Sequence, residues 1–356
     1  MKSRHVLILF SAVLLFAINL HAQTTTPVAE AAAVTAATAD SMTPAIKSYC
    51  EKLEVSFKKF GWDKSQCADF KWNHYRNSVL GDPLMWTVFG DVSDEELPSF
   101  KDKDVTIVMC GVHGDEITPI KFCFDVMYYL RAAYADPERS KEFANKVVLV
   151  SPLVNPDSYF KRRPTRMNAR GIDPNRNFPT KDWQTMARKL WLTKFKRDKR
   201  RNPGEKANSE PEVVYQVNLI KRYNPDKIVS VHSPLTLLDY DGPSTAITNG
   251  MDGVKAHELL IQMSKDASGY NIKDYPFFPG SLGNWAGKER NIPTYTLELP
   301  SSDPRKNGEY WTLFKSAMHK VIVHNLRQNI AKAPVLDDPT LTKEATPPEI
   351  QLLSPN

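Results

Sequence analysis

Short apolar, β-branched runs alternate along this chain with longer segments of mixed polarity. The runs Leu84 to Phe89, Val105 to Met109, Val147 to Ser151, Lys227 to Val231 and Thr294 to Leu299 read as strands. Ile117 to Ala133, Ser209 to Tyr223, Gly253 to Ser268 and Glu309 to Gln328 read as helices, and Ser209 followed by Glu212 places a capping box at the head of the second. Alternation of this kind predicts an α/β fold in a single domain: a mixed, mostly parallel twisted sheet with helices on both faces. In open sheets of that class the site lies beyond the carboxyl ends of the strands. Polar residues stand at that address: His113 follows one strand, Asn155 and Asp157 another, His232 a third, and Glu298 lies at the end of a fourth.

Outside the alternating region the pattern changes. Lys2 and Arg4 precede an apolar run from Val6 to Ile18, and Ala22 marks a cleavage site before Gln23, so residues 1–22 read as a secretory signal peptide. The run is shorter than the roughly 20 residues of a bilayer span, which favours this reading over a membrane anchor. Residues 23–45, rich in Ala and Thr, read as a linker, 46–332 as the catalytic domain, and 333–356, with five prolines, as an irregular tail. No later stretch is long and apolar enough to span a membrane, so the mature chain is expected to be exported, periplasmic or secreted, without a transmembrane segment. Export permits disulfides. Cys50, Cys67, Cys110 and Cys123 allow three full pairings; Cys50 with Cys67 would staple the start of the domain, whereas Cys110 in its core strand reads as a free buried thiol.

At 41% hydrophobic and 25% charged the composition is that of an ordinary folded domain, and the net charge of +6 changes the picture only locally. Nine Lys and Arg residues fall between Arg188 and Lys206, with Trp191 and Phe195 among them. That segment reads either as a surface for an anionic polymer or membrane, or as a solvated helix and loop on an insertion. Nothing else resembles a nucleic-acid module, so no nucleic-acid partner is expected.

The chemistry gathers around His113 and Glu116. Three residues apart at the start of a helix, an imidazole and a carboxylate project to one side and supply two of the three protein ligands of a catalytic zinc site. The plain alternative is a surface histidine and a glutamate helping the helix N-terminus. His232, at the end of a hydrophobic strand, supplies the missing third ligand. Such a centre needs a base for its water, and Glu298 is a charge embedded in an otherwise apolar strand, expensive there unless it is paired or functional. Its alternative is an edge strand with Glu298 facing water. Asn175 and Arg176, in the polar loop from Asn168 to Pro179, form a fork able to hold a substrate carboxylate bidentately.

In this order the motifs HGDE (113–116), NPD (155–157), GIDPNRNFP (171–179), VHS (231–233) and TLELP (296–300) resemble the zinc carboxypeptidases of the carboxypeptidase A type, from about Leu84 to the closing helix. The resemblance implies that His113, Glu116 and His232 bind one Zn2+ per chain. It implies Glu298 as general base and later proton donor to the leaving amine, and Asn175 with Arg176 as the grip on the substrate's terminal carboxylate. It implies Arg166 as stabiliser of the oxyanion, with Arg162 and Arg163 as competitors in the same basic run, and Asp173 as hydrogen-bond acceptor for His113. Ser233 and Tyr275 take substrate-binding places, Tyr275 lying five residues before Gly280. The stretches 232–243 and 279–287 look like the bacterial murein peptide amidase branch, which cuts the γ-D-glutamyl to meso-diaminopimelate bond of peptidoglycan stem peptides. Leu282, Asn284 and Trp285 are then candidates for the specificity pocket. Ser158, where the family usually has Gly, and Pro174, where it has Leu or Ala, depart from the pattern. Two other functions remain open at this point: a zinc deacylase or esterase of small N-acyl amino acids, and a catalytically silent wall-binding protein.

Overall fold

The computed structural model describes residues 42–90, 103–243, 247–248 and 251–327. The expected signal peptide, nearly all of the expected linker, and the tail lie outside the described residues. The folded chain begins earlier than expected, with α1 (Pro44–Phe60) starting inside the last residues assigned to the linker. Thr43 caps it by accepting the Ile46 N–H, and Pro44 occupies the first turn, where its missing N–H costs nothing. Its buried stripe of Ile46, Tyr49, Cys50, Leu53 and Phe57 has helical spacing.

The strands follow as β1 (Asn73–Asn77), β2 (Pro83–Phe89), β3 (Asp104–Cys110), β4 (Lys146–Ser151), β5 (Lys227–His232), β6 (Leu237–Asp241), a ribbon of β7 (Ile247–Thr248) with β8 (Met251–Asp252), and β9 (Thr294–Glu298). After α1 the helices are α2 (Thr118–Ala135), α3 (Pro156–Tyr159), α4 (Arg188–Thr193), α5 (Pro211–Tyr223), α6 (Gly253–Asp266) and α7 (Asn307–Val323). Every predicted strand and helix is present with its type; the last helix ends at Val323, short of Gln328. None of the helices among the described residues is long and apolar enough to cross a membrane.

One seven-stranded sheet runs β1-β2-β4-β3-β5-β9-β6. Its centre, β4-β3-β5-β9, is parallel, and β1, β2 and β6 complete it in antiparallel pairing. Successive side chains of a strand point to opposite faces, and the two faces here have different cores. Val105, Ile107 and Met109 of β3 pack with Val213, Val217 and Ile220 of α5, while Val108 and Cys110 pack with apolar residues of α2, α6 and α7. Helices on both faces explain why these strands read as unbroken apolar runs.

Two of the expectations about local structure need correction. Cys110 is no free thiol: it is bonded to Cys123, tying β3 to α2, while Cys50 bonds Cys67 as expected. The capping box does not form either. Pro211 starts α5 and Glu210 is its N-cap, so Ser209 stands one position too early, and the Asn177 side-chain oxygen accepts the N–H groups of Ser209 (2.9 Å) and Glu210 (3.2 Å).

Glu212 is instead fully buried, with Oε2 accepting from Asn168 Nδ2 at 3.0 Å and Oε1 without a partner among the described residues. Burial pushes its carboxyl up to about 7 from 4.5, with Asn168 working against the shift. A carboxyl that holds its proton longer in the fold than in the unfolded chain gives stability fully present below pH 4.5 and lost as pH rises through 7. Glu212→Gln is therefore expected to stabilise the protein at pH 8 by about 3–4 kcal/mol, taking ~1.4 kcal/mol for each pH unit between the two values, and to do nothing at pH 4. Urea denaturation at both pH values checks this, and no gain at pH 8 would mean that the carboxylate has a counter-charge.

Candidate metal centre

The site is assembled at the carboxyl ends of β3, β5 and β9. Gly111 ends β3 with φ +62°, a conformation that favours glycine, and turns the chain toward Val112 and His113. Asn155 fastens this turn: its backbone N–H reaches Gly111 O at 2.9 Å and its side-chain amide reaches Val112 O at 3.3 Å. A Glu116 N–H to His113 O bond of 3.3 Å then closes a single turn ahead of α2. His113 and Glu116 thus share a turn rather than the helix that was expected, with the same convergence of side chains. His232 is the last residue of β5 and lies opposite Glu298, the last of β9, in parallel register.

One ligand atom from each of His113, Glu116 and His232 lies within 4.8 Å of the others, and all three residues are buried. Glu116 Oε1 is 2.7 Å from His113 Nδ1 and its Oε2 is 2.8 Å from His232 Nδ1. The far nitrogens are held from behind, His113 Nε2 by Asp173 Oδ1 at 3.1 Å and His232 Nε2 by Ser230 Oγ at 3.0 Å. Asp173 only accepts, taking Arg166 Nε at 2.9 Å and the Asn175 N–H at 2.9 Å as well, so His113 Nε2 carries the proton and Nδ1 presents its lone pair. A bare Nδ1 and a carboxylate oxygen that close repel each other unless a cation joins them. Two imidazoles and one carboxylate with an open side are the donor set of a catalytic zinc site, and the residues present fit that ion.

The electrostatics point the same way. Burial lowers the affinity of His113 for a proton, and Arg166 lowers it further, yet Glu116 and Asp173 outweigh both and hold it above its ordinary value. Burial raises the Glu116 carboxyl, but His113 and His232 bring it far below the usual carboxylate range. Asp173 is likewise held far below that range, chiefly by Arg166 and His113 acting against its burial. The cluster thus favours positive charge between its imidazoles and carboxylates.

A cleft of about 360 Å³ opens over this cluster, lined also by Arg166, Asn175, Arg176, Ser233, Tyr275 and Glu298. The three ligand candidates, Glu298, Arg166, Asn175, Arg176, Ser233 and Tyr275 thus share one cleft, with Asp173 behind His113. Arg162 and Arg163 are exposed, leaving Arg166 as the arginine of that run at the centre, 3.3 Å from Glu116 Oε1 through Nη1. The guanidinium of Arg176 stacks 4.4 Å from the Phe278 ring centroid and donates to Asn175 O at 2.6 Å, while its buried Nε has no partner among the described residues. Burial pushes Arg176 down to about 10. Asn175 spends its oxygen on the Leu282 N–H at 2.8 Å, leaving its amide nitrogen for the cleft. Glu298 accepts the Leu235 N–H at 3.3 Å; burial pushes its carboxyl up, His232 opposes and Glu116 reinforces the shift. Ser233 Oγ meets Ser302 Oγ at 2.6 Å, and the Tyr275 N–H donates to Asp239 Oδ1 at 3.0 Å.

Three other expectations resolve differently. Asp157 faces away from the cleft and accepts from Ser78 Oγ (2.5 Å) and the Leu80 N–H (2.9 Å), so its strand-end position serves the β1–β2 connection. Of the pocket candidates, Leu282 lines the cleft, whereas Trp285 packs on Phe178 in the core and Asn284 donates to Asp182. The basic segment is not remote: Arg200 and Arg201 stand at the cleft, with Arg200 Nη1 2.6 Å from Asp115 Oδ2. Sequence reasoning missed Asp239 and Asp241, which also line the cleft; the signal available was two acids alternating in the short run Leu237 to Asp241.

A family model described as zinc carboxypeptidase matches residues 74–319. Murein peptide amidase A of Escherichia coli K12 is 32% identical over 236 residues, covering 65% of this chain and 82% of that protein. Its counterpart in Vibrio campbellii is 30% identical over 230 residues, covering 64% and 78%. The crystal structure of carboxypeptidase A from Helicoverpa armigera shares the fold at 17% identity, with a TM-score of 0.55 over 78% of this chain and 72% of that one. A match that spans most of the described residues, with a ligand triad in place at its strand ends, makes this chain a metallopeptidase and a member of the zinc carboxypeptidase family.

Proposed function

We propose that this protein is a one-zinc carboxypeptidase that removes the terminal diaminopimelate from peptidoglycan stem peptides by hydrolysing the γ-D-glutamyl to meso-diaminopimelate amide. The observation that carries the reading is the cleft itself: the ligand triad, Glu298 in register beside His232, and Arg176, whose buried Nε has no partner among the described residues, line one space. The curated relatives named murein peptide amidase support the substrate class.

When bound by His113, Glu116 and His232, the ion supplies Lewis-acid polarisation at the amide. Glu298 takes the proton of the attacking water and passes it to the departing amine as the C–N bond breaks and the C–O bond forms. Its burial favours the protonated form, which suits a group that must hold that proton between the two transfers. Arg166 spends Nε and Nη1 on Asp173 and Glu116, which fixes its plane and leaves Nη2 for the oxyanion. Arg176 and the Asn175 amide receive the terminal carboxylate.

Arg176→Ala is expected to lower kcat/KM for a peptide with a free carboxyl end by about 10²–10³-fold, the loss of a buried charge-assisted pair. The same peptide with an amidated end should already be that poor for the wild type and should not worsen in the variant. Equal rates on the two peptides in the wild type would remove Arg176 from this role.

We also propose that the chain works outside the cytoplasm, supported by the basic and apolar leader pattern of residues 1–22 and by two disulfides in the folded domain. Digestion of purified sacculi and free stem tripeptides, followed by mass analysis, tests the substrate. Loss of a diaminopimelate from tripeptide stems is the expected result. Unchanged stems together with hydrolysis of acyl amino acids would transfer the site to the deacylase reading.

A further inference from the structure

The basic segment from Arg188 to Lys206 takes no part in the chemistry above, yet it borders the cleft. It holds nine Lys and Arg residues against two acids, Asp198 and Glu205, in a chain whose net charge is +6, so the rest of the chain is close to neutral. All nine cations are exposed. Arg188, Arg200 and Arg201 have acidic partners, at 3.9, 2.6 and 3.3 Å. Lys189, Lys194, Lys196, Arg197, Lys199 and Lys206 have no ion pair among the described residues. Six uncompensated cations on one short segment make a local positive field in an otherwise balanced surface.

The segment is fixed against the site. The Asp173 N–H donates to Asn202 O and Asn202 Nδ2 to Gly171 O, both at 2.9 Å, while Asn177 Nδ2 reaches Pro203 O and Lys206 O at 2.8 Å. These bonds tie it to the loop that carries Asp173, Asn175 and Arg176. Lys196 and Arg197 take φ values of +49° and +60°, a costly conformation for side-chain-bearing residues that persists only where its surroundings impose it. Here the Arg197 N–H bonds Trp191 O at 2.9 Å and Trp191 Nε1 bonds Asp198 O at 2.8 Å, closing the turn from both sides. Arg201 then packs 4.8 Å from the Phe195 ring, and Arg200 and Arg201 line the cleft. The positive face is therefore a preformed surface continuous with the mouth of the site.

We propose that this face docks a polyanionic wall polymer, a glycan strand bearing acidic stem peptides, so that neighbouring stems hold the enzyme while one stem occupies the cleft. Each stem carries free carboxylates, and those of the stem being cut are received inside the cleft. The exposed cations outside it match the carboxylates of stems not being cut, and several weak contacts along one strand raise the effective concentration of the reactive one. A free tripeptide would leave the face unused. A membrane surface fits it less well: the exposed large apolar residues beside the cations are Met186 and Leu192, on or next to a helix of six residues, too little apolar area to enter a bilayer interface. The inference rests on the peptidase reading above and names the form in which the substrate arrives.

The test compares the zinc-loaded wild type with a variant combining Lys189→Gln, Lys194→Gln, Lys196→Gln, Arg197→Gln and Lys199→Gln, none of which lines the cleft. Both are assayed on the free stem tripeptide and on purified sacculi bearing tripeptide stems, and both are sedimented with those sacculi and with vesicles of anionic phospholipid. The wild type is expected to pellet with sacculi and to be released by salt, which screens exposed charges. The variant should stay in solution and lose about tenfold or more in its rate on sacculi, while its kcat/KM on the free tripeptide stays within twofold of the wild type. Unchanged pelleting and sacculus hydrolysis in the variant, or an equal loss on both substrates, overturns the docking face and leaves the peptidase reading standing. Wild-type binding to vesicles as tight as to sacculi overturns the polymer as its partner. Failure of the wild type to hydrolyse either substrate overturns the peptidase reading, and sedimentation alone then decides the face. If the fivefold variant does not fold, Lys194→Gln with Lys196→Gln and the salt dependence of the wild type on the two substrates decide.

Discussion

Replacing Glu298 with Gln is expected to lower kcat on the preferred stem peptide by about 10⁴-fold, the upper range for a general acid–base group, while the metal stays bound. The upper range applies because, in the proposed mechanism, one carboxyl serves two steps, accepting the water proton and delivering it to the leaving amine. The metal stays because Glu298 is not among the converging ligands; it stands beside them through the pairing of β9 with β5. The amide keeps the size of the acid and its oxygen can still accept the Leu235 N–H. Stability should hold or rise slightly, since burial already disfavours the charged form of this side chain. Metal analysis, a thermal melt and single-turnover kinetics on one preparation separate these effects. Turnover by the folded, metal-loaded variant within tenfold of the wild type would falsify the assignment.

Glu298 also shows what kind of information the sequence holds. An ionisable residue inside an apolar, β-branched run announces itself, as do a histidine closing such a run and a His-x-x-Glu directly after one. His113, Glu116, His232 and Glu298 were legible for that reason. Their mutual register was not, because strand order and pairing arise from long-range contacts. The same limit kept Arg166 from being separated from Arg162 and Arg163, which differ from it in exposure and not in kind. Cys110–Cys123 was hidden likewise: the bond depends on where α2 packs against β3. Among the elements that escaped, two lacked a local signal. The edge strand β1 offers the core a single residue, the half-buried Tyr75, and exists because β2 offers it a ladder. Helix α1 buries a stripe of five residues in a segment otherwise rich in charge, next to a low-complexity stretch that masks its start. Asp239 and Asp241 belong to a third class. As two acids in a short strand they suggest a solvated edge, and only the fold shows them buried beside the cleft, without an ion pair among the described residues.

Exhaustive chelation is expected to abolish hydrolysis and to lower the melting temperature by roughly 5 °C, and stoichiometric zinc should restore both. The thermal shift follows from linkage: an ion that binds only the folded chain at 100 times its dissociation constant stabilises it by about 2.7 kcal/mol. For a domain of this size each kcal/mol moves the midpoint by about 2 °C. The pH dependence of the gap gives the prediction its sharper form. In the metal-free protein the Glu116 and Asp173 carboxylates hold the His113 proton above the ordinary value of 6.5. A histidine whose folded value is raised lends stability fully present below its unfolded value and lost as pH rises through the folded one. The metal displaces that proton and, once bound, has no need of it. The metal-free form should therefore lose stability faster than the zinc form as pH rises above 6.5, and the difference in melting temperature should widen as it does so. The two imidazoles facing one carboxylate at 2.7 and 2.8 Å make the outcome specific to this cluster, because protons or one ion must join them. A gap that narrows with rising pH, or hydrolysis that survives chelation, would place the catalytic charge somewhere other than between His113, Glu116 and His232.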